Sequence, residues 1–210
     1  FNLISGVCLL LFAAGCDRAP QSTLVSEPLR DRPARTEGAP LFEKLTPARS
    51  GVAFSHRMAM DHPLSRLNSS GFVCGGGCIG DFNGDGRPDL FLANGPDKNG
   101  LFLQRDGFRF EDVTQQAGVG GGDAWASGAA AVDFDGDGDL DLYVCNYDAP
   151  NQLFVNDGTG TGFTDEAEAR GLAMIDASLM PSFADHDRDG DLDLFVLTYR
   201  YYRPGGRPAK

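Results

Sequence analysis

The chain has 210 residues, 41% of them hydrophobic and 10% aromatic, enough apolar material for a core, which excludes disorder as the whole answer. Its formal net charge is −12, from 30 acidic and 18 basic residues. That balance excludes a cationic nucleic-acid surface; no nucleic-acid partner is expected, and the basic tail over 200–210 is too short to alter this.

The first predicted element, residues 3–14, is an apolar stretch too short to span a membrane, and it runs into Ala13, Ala14, Gly15 and Cys16. It resembles the signal segment and lipobox of a bacterial lipoprotein. The resemblance implies that residues 1–16 are a signal segment and that Cys16 is the lipidated first mature residue, which would anchor the chain to a membrane. Two departures are visible: Ala13 stands where leucine is usual, and neither an initiator methionine nor a basic segment precedes Phe1. The expectation is therefore a chain that starts inside its signal peptide. Residues 17–40 space Pro20, Pro28, Pro33 and Pro40 among Arg, Ser and Glu without apolar periodicity, which predicts a flexible tether. Together these segments place the protein in the bacterial cell envelope, lipid-anchored and extracytoplasmic, in the periplasm or at the cell surface, where calcium is plentiful.

The globular part is expected over 41–210. Residues 41–54, LFEKLTPARSGVAF, echo 110–119, FEDVTQQAGV, and 163–172, FTDEAEARGL. The shared frame predicts that the chain enters its first repeat at that repeat's last strand. A polar segment follows with Ser55, His56, Asp61 and His62. Closeness in sequence is not triad geometry, so no catalytic residue is assigned there. Cys74 and Cys78 flank three glycines; the run could fold into a bridge, but if extended it spans roughly 13 Å and forbids one. A zinc site would need further Cys or His at ligand spacing, and none is found. At least one of Cys74, Cys78 and Cys145 is expected to be a buried free thiol.

Three acidic nonapeptides dominate the rest: DFNGDGRPD at 81–89, DFDGDGDLD at 133–141 and DHDRDGDLD at 185–193, whose starts keep a constant spacing of 52 residues. A fixed period of this length marks a structural repeat. Positions 1, 3 and 5 bear oxygen: Asp81, Asn83 and Asp85; Asp133, Asp135 and Asp137; Asp185, Asp187 and Asp189. Position 9 is Asp89, Asp141 or Asp193, and position 6 is glycine, which permits a sharp turn. The main-chain carbonyl of position 7, Arg87, Asp139 or Asp191, completes an all-oxygen cage. Such a cage suits a hard cation with flexible coordination, so three calcium sites are expected, one per loop. Carboxylates about 5 Å apart repel by roughly 1 to 3 kcal/mol per pair, and five in one loop call for a cation. Thirteen of the thirty acids lie in these loops, so the acidity of the chain belongs mostly to them.

An EF-hand or dockerin-like loop would need an acid at position 12 and an exit helix. Position 12 is Leu92, Val144 or Val196, and the runs 90–93, 142–145 and 194–197 read as buried strands. The ion loop therefore joins strand to strand. The segments NGLFLQ at 99–104 and NQLFVN at 151–156 are also 52 residues apart, and each precedes a glycine turn and an aromatic strand, around 108–113 or Phe163. One period thus predicts four strands. The fold class is all-β, a partial β-propeller of four-stranded blades with calcium loops between strands.

The three loops with their strands resemble FG-GAP/VCBS repeats, the calcium-binding blades of integrin-α-type propellers. With the Phe-x-Asp-Val-Thr and Asn-x-Leu-Phe frames, residues 41–199 are similar to the bacterial relatives of cartilage acidic protein, which often carry an ASPIC/UnbV domain. Asn83 replaces an acid and Arg188 replaces Gly136 of the second loop, so a weaker first site and a different third turn are expected. Two complete blades and parts of two others do not close a ring, which predicts a fragment of a longer protein; the competing reading is a short chain that closes by oligomerising. The resemblance implies a noncatalytic calcium-binding module of a lipoprotein that binds a protein or glycan through blade loops. The alternative is part of an extracytoplasmic carbohydrate-active enzyme whose catalytic residues lie outside this chain.

Overall fold

The computed structural model describes residues 42–56, 60–65, 75–95 and 97–199. The expected signal segment with Cys16, the expected tether, Cys74 and the basic tail lie outside the described residues. Among the described residues ten strands carry the fold: β1 (Gly76–Gly80), β2 (Asp89–Ala93), β3 (Gly100–Gln104), β4 (Phe110–Asp112), β5 (Trp125–Val132), β6 (Asp141–Pro150), β7 (Gln152–Asn156), β8 (Phe163–Asp165), β9 (Ile175–Ala184) and β10 (Asp193–Thr198). Two single-turn helices accompany them, α1 (Pro47–Ser50) and α2 (Thr114–Ala117). The fold is all-β, and it is a partial propeller.

All pairings are antiparallel. Strands β1-β2-β3-β4 form the first blade as a meander, and β5-β6-β7-β8 repeat it. Strands β9 and β10 begin a third blade, and the start of β9 also pairs with the end of β6, Tyr147 opposite Ala177. The four strands per period and their junctions at the acidic loops agree with the sequence reading. One part does not: residues 42–46 form no strand, and the segment shares only the helical turn of its echo. Physically, β4 exists because Phe110–Asp112 pairs with β3, and residues 42–46 have no paired strand among the described residues. In that echo, β4 itself is confined to three residues by a tight turn at Asp106–Phe108.

The reason β6 reads as a continuous apolar run is that it is covered on both faces. Leu142 and Val144 pack with Phe91, Leu101 and Leu103 of the first blade, while Tyr143 and Cys145 pack with Phe183, Leu194 and Val196 of the third. Period-two alternation thus sends neighbouring side chains to different blades. The same parity leaves Phe195 and Leu197 exposed, although they sit 52 residues after the fully buried Tyr143 and Cys145. No described blade covers that face.

The first strands of successive blades approach each other closely where glycine allows it. A Cβ on Gly76 would lie 2.6 Å from the Gly128 Cα, and a Cβ on Gly128 would lie 2.0 Å from the Leu179 carbonyl oxygen. Ser127 Oγ, beside them, is within hydrogen-bonding distance of the carbonyls of Cys145 (3.0 Å) and Ser178 (2.6 Å), tying β5 to both neighbours. Cys78 and Cys145 are free thiols, and burial pushes both up to about 12, which leaves them unreactive.

Candidate metal centres

Each acidic nonapeptide connects the first and second strands of a blade: 81–89 joins β1 to β2, 133–141 joins β5 to β6, and 185–193 joins β9 to β10. Local hydrogen bonds shape the loops alike. In the first, Asp81 accepts the N–H groups of Asp85 (3.0 Å) and Gly86 (2.7 Å). In the second, Asp133 accepts from Gly136 (2.9 Å) and Gly138 (3.2 Å). In the third, Asp185 accepts from Asp189 (3.1 Å) and Gly190 (3.2 Å). The N–H of position 7 always goes to the carboxylate of position 5, from Arg87, Asp139 and Asp191 to Asp85, Asp137 and Asp189 at 2.9 to 3.0 Å.

Position 4 needs a left-handed backbone in every copy. Gly84 and Gly136 adopt it at φ of 67° and 76°, and Arg188 adopts it at 66°. The third turn is therefore the same turn, contrary to the expectation from its sequence. Arg188 bears the steric strain that glycine escapes.

The loops differ in what they bring together. Carboxylate oxygens of Asp133, Asp135 and Asp141 lie within 4.8 Å of one another, and so do those of Asp185, Asp187 and Asp189. Oxygens that each sit 2.3 to 2.6 Å from one calcium ion cannot be more than about 5 Å apart, so both trios fit a single ion. In the first loop the Asn83 amide donates to Asp85 (3.0 Å), and the Arg87 guanidinium pairs with the same carboxylate at 2.5 Å while reaching the Gln104 carbonyl at 3.2 Å. A side-chain cation thus already neutralises Asp85, and no trio of acids converges there. Asn83 already marked the first loop in the sequence as the one with fewer acids. The guanidinium of Arg87 did not, because its anchor is the Gln104 carbonyl, 17 residues away, while the carboxylate it neutralises is Asp85.

Position 9 has a second role. Asp89 and Asp141 are 0% and 1% exposed, and each carboxylate is bracketed by two main-chain N–H groups. Asp89 accepts from Phe82 (2.9 Å) and Gln104 (2.7 Å), and Asp141 accepts from Phe134 and Asn156, both at 2.8 Å. These bonds fasten the acidic loop to the end of β3 or β7. Burial raises both carboxyl groups above the usual range; the two N–H bonds oppose the shift, and the neighbouring acids, Asp85 and Asp81 or Asp135 and Asp137, add to it. A carboxylate has about four lone-pair sites, so each oxygen retains capacity for an ion beyond the N–H it accepts.

The third loop breaks the pattern at position 2. Phe82 is buried and Phe134 half-buried, but the equivalent His186 is exposed, and its Nδ1 lies 2.5 Å from Asp193. That hydrogen bond lowers the Asp193 carboxyl below the usual range. His186, Asp187 and Asp193 form a second trio that overlaps the first. The change from Phe to His was the one signal in the sequence that could have found it.

Ser55, His56 and Asp61 share no hydrogen bond among the described residues. The Ser55 carbonyl instead accepts the Asn94 amide at 3.3 Å. Cys16 lies outside the described residues.

Comparison with known proteins gives the repeat independent support. Residues 81–144 and 133–196 each match the FG-GAP-like repeat. Over 128 residues the chain is 28% identical to cartilage acidic protein 1 of Xenopus tropicalis, covering 60% of this chain and 20% of that protein. With the Homo sapiens protein of the same name it is 28% identical over 125 residues, 59% of this chain and 19% of the other. The chain thus spans about a fifth of the length of the curated relatives it matches.

Proposed function

Because the chain belongs to the FG-GAP-like repeat family, we propose that it is a noncatalytic propeller module held rigid by calcium, which binds a protein or glycan through its blade loops. The observation that carries this reading is the convergence of Asp133, Asp135 and Asp141, and of Asp185, Asp187 and Asp189, each into a space the size of one ion's coordination shell. A bound ion would supply the positive charge that two buried position-9 acids and their neighbours lack. The chain's own part is to hold the oxygens in place through the N–H bonds of each turn and to tie the loop to the blade through Asp89, Asp141 or Asp193. The first loop, with Asn83 and Arg87, holds its ion least tightly of the three.

In this reading the module belongs to a lipoprotein of the bacterial envelope, anchored at Cys16. Calcium should raise the melting temperature of the full chain and EDTA should lower it, since a site filled at 100 times its dissociation constant adds about 2.7 kcal/mol. Identical melts in the two conditions would refute the calcium reading. Saccharide turnover that is abolished by a substitution outside the loops would overturn the noncatalytic one. Palmitate labelling that persists in Cys16→Ser would remove Cys16 as the sole acceptor.

A further inference from the structure

Away from the ion loops, two clefts open at the other end of the strands, with volumes of about 1250 and 760 Å³. The ion loops lead into β2 and β6, whereas the clefts take Asn94 and Asn99 from the connection that leaves β2, and Asn146 from the second half of β6 with Asn151 just after it. The clefts therefore lie on the face of the propeller opposite the ion loops.

The clefts are copies of each other. Asn94 and Asn99 recur 52 residues later as Asn146 and Asn151, and Asp112 recurs one residue further on as Asp165, because the β7–β8 turn is longer. In both, the second asparagine accepts the main-chain N–H of the first, Asn99 from Asn94 at 2.9 Å and Asn151 from Asn146 at 2.8 Å. In both, the amide nitrogen of the first asparagine donates to a main-chain carbonyl, Ser55 at 3.3 Å or Pro150 at 2.6 Å. Those bonds orient the amide and leave its oxygen without a donor, although Asn94 and Asn146 are only 3% and 0% exposed. A buried acceptor without a partner is costly, and here it occurs twice at the same place in the repeat and in the wall of a cleft.

We propose that the two clefts bind successive units of one neutral oligosaccharide, a deepening that rests on the reading of the chain as a binding module. Once ligand entry opens a path to the buried oxygens of Asn94 and Asn146, sugar hydroxyls supply the donors these lack, and they accept from the Gln115 and Gln152 amides at the rims. Gly121 lines both clefts, so a single extended ligand can run from one to the other. The charge selects for neutral sugars: among the described residues, Asp123, Asp165 and Glu168 line the second cleft with no basic residue, and Asp97 and Asp112 outnumber Lys98 in the first. Such a field repels uronic and sulfated units.

The test is an array of defined neutral and acidic oligosaccharides probed with the calcium-loaded full chain, followed by calorimetric titration of the strongest binder. The expected result is a neutral ligand whose affinity falls tenfold or more in Gln116→Trp and in Glu168→Trp, which fill the exposed rims of the first and second clefts. Gln115→Ala, which adds no bulk, should lower affinity in the same direction if the tryptophan variants fail to fold. Binding of acidic saccharides alone, or affinities unchanged in every variant, would overturn the cleft assignment. Capture of a protein ligand with no saccharide bound also overturns it and leaves the binding-module reading standing. Loss of the calcium effect on melting strikes the calcium reading alone, because the titration reads the clefts separately.

Discussion

Asp141→Ala separates the two jobs of position 9. The carboxylate is 1% exposed and accepts the N–H groups of Phe134 and Asn156, both at 2.8 Å. Truncation leaves two buried donors without an acceptor, at about 1 to 3 kcal/mol each. Part of that loss is offset, because the burial that raises the Asp141 carboxyl also penalises its charge. The net cost in EDTA should therefore be about 2 to 4 kcal/mol, a large share of a stability of order 5 to 15. Asp137→Ala is the control. It removes one exposed bond, to the Asp139 N–H at 2.9 Å, and should cost no more than about 1 kcal/mol in EDTA. In calcium the two variants should lose the same additional increment, that of the second ion. Urea unfolding with and without calcium gives the energies, and amide exchange at Phe134 and Asn156 localises them. Equal costs for Asp141→Ala and Asp137→Ala in EDTA would refute the bracket.

The remaining predictions follow from particular contacts. Without calcium, stability should fall as pH rises above about 4: the raised Asp89 and Asp141 keep protons in the folded state that the unfolded chain releases, so unfolding binds fewer protons. Calcium should reverse that slope, and a slope of the same sign and size in Asp89→Asn/Asp141→Asn would sink the assignment. Below about pH 4 the lowered Asp85, Asp157 and Asp193 act with the opposite sign, and their contribution is lost as pH falls through their folded pKa values. Arg188→Gly should stabilise the third loop by up to about 1 kcal/mol, measured by urea midpoint, since glycine tolerates the left-handed backbone; destabilisation would show that the arginine side chain outweighs its strain. Tyr143→Ala should cost about 3 to 5 kcal/mol, whereas Phe195→Ala, at the same repeat position but 69% exposed, should stay within about 0.5. Similar losses for both would mean that Phe195 is covered. Gly128→Ala should cost at least about 1 to 3 kcal/mol through the clash with the Leu179 carbonyl, and a wild-type melt would show that β5 and β9 can move apart.

The loop composition by itself determined a good deal. Oxygen at positions 1, 3, 5 and 9, glycine at 6 and an apolar residue at 12 are local requirements of a turn between two strands, and local requirements are written in local sequence. The constant interval of 52 then carried the reading from one loop to a blade, and two meanders of four strands are what the structure contains. Where a segment depends on a distant partner, sequence misled: residues 42–46 resemble β4 but have no β3 beside them among the described residues. Only the tertiary structure decided that Asp89 and Asp141 clamp the loop to Gln104 and Asn156, fifteen residues away, and that Arg87 neutralises Asp85. The packing of Gly76 against Gly128 is a contact between blades, and each matched cleft gathers residues of one repeat that lie far apart in sequence. A repeat states its own geometry in each copy; what lies between copies depends on how they stack, and no single copy encodes it.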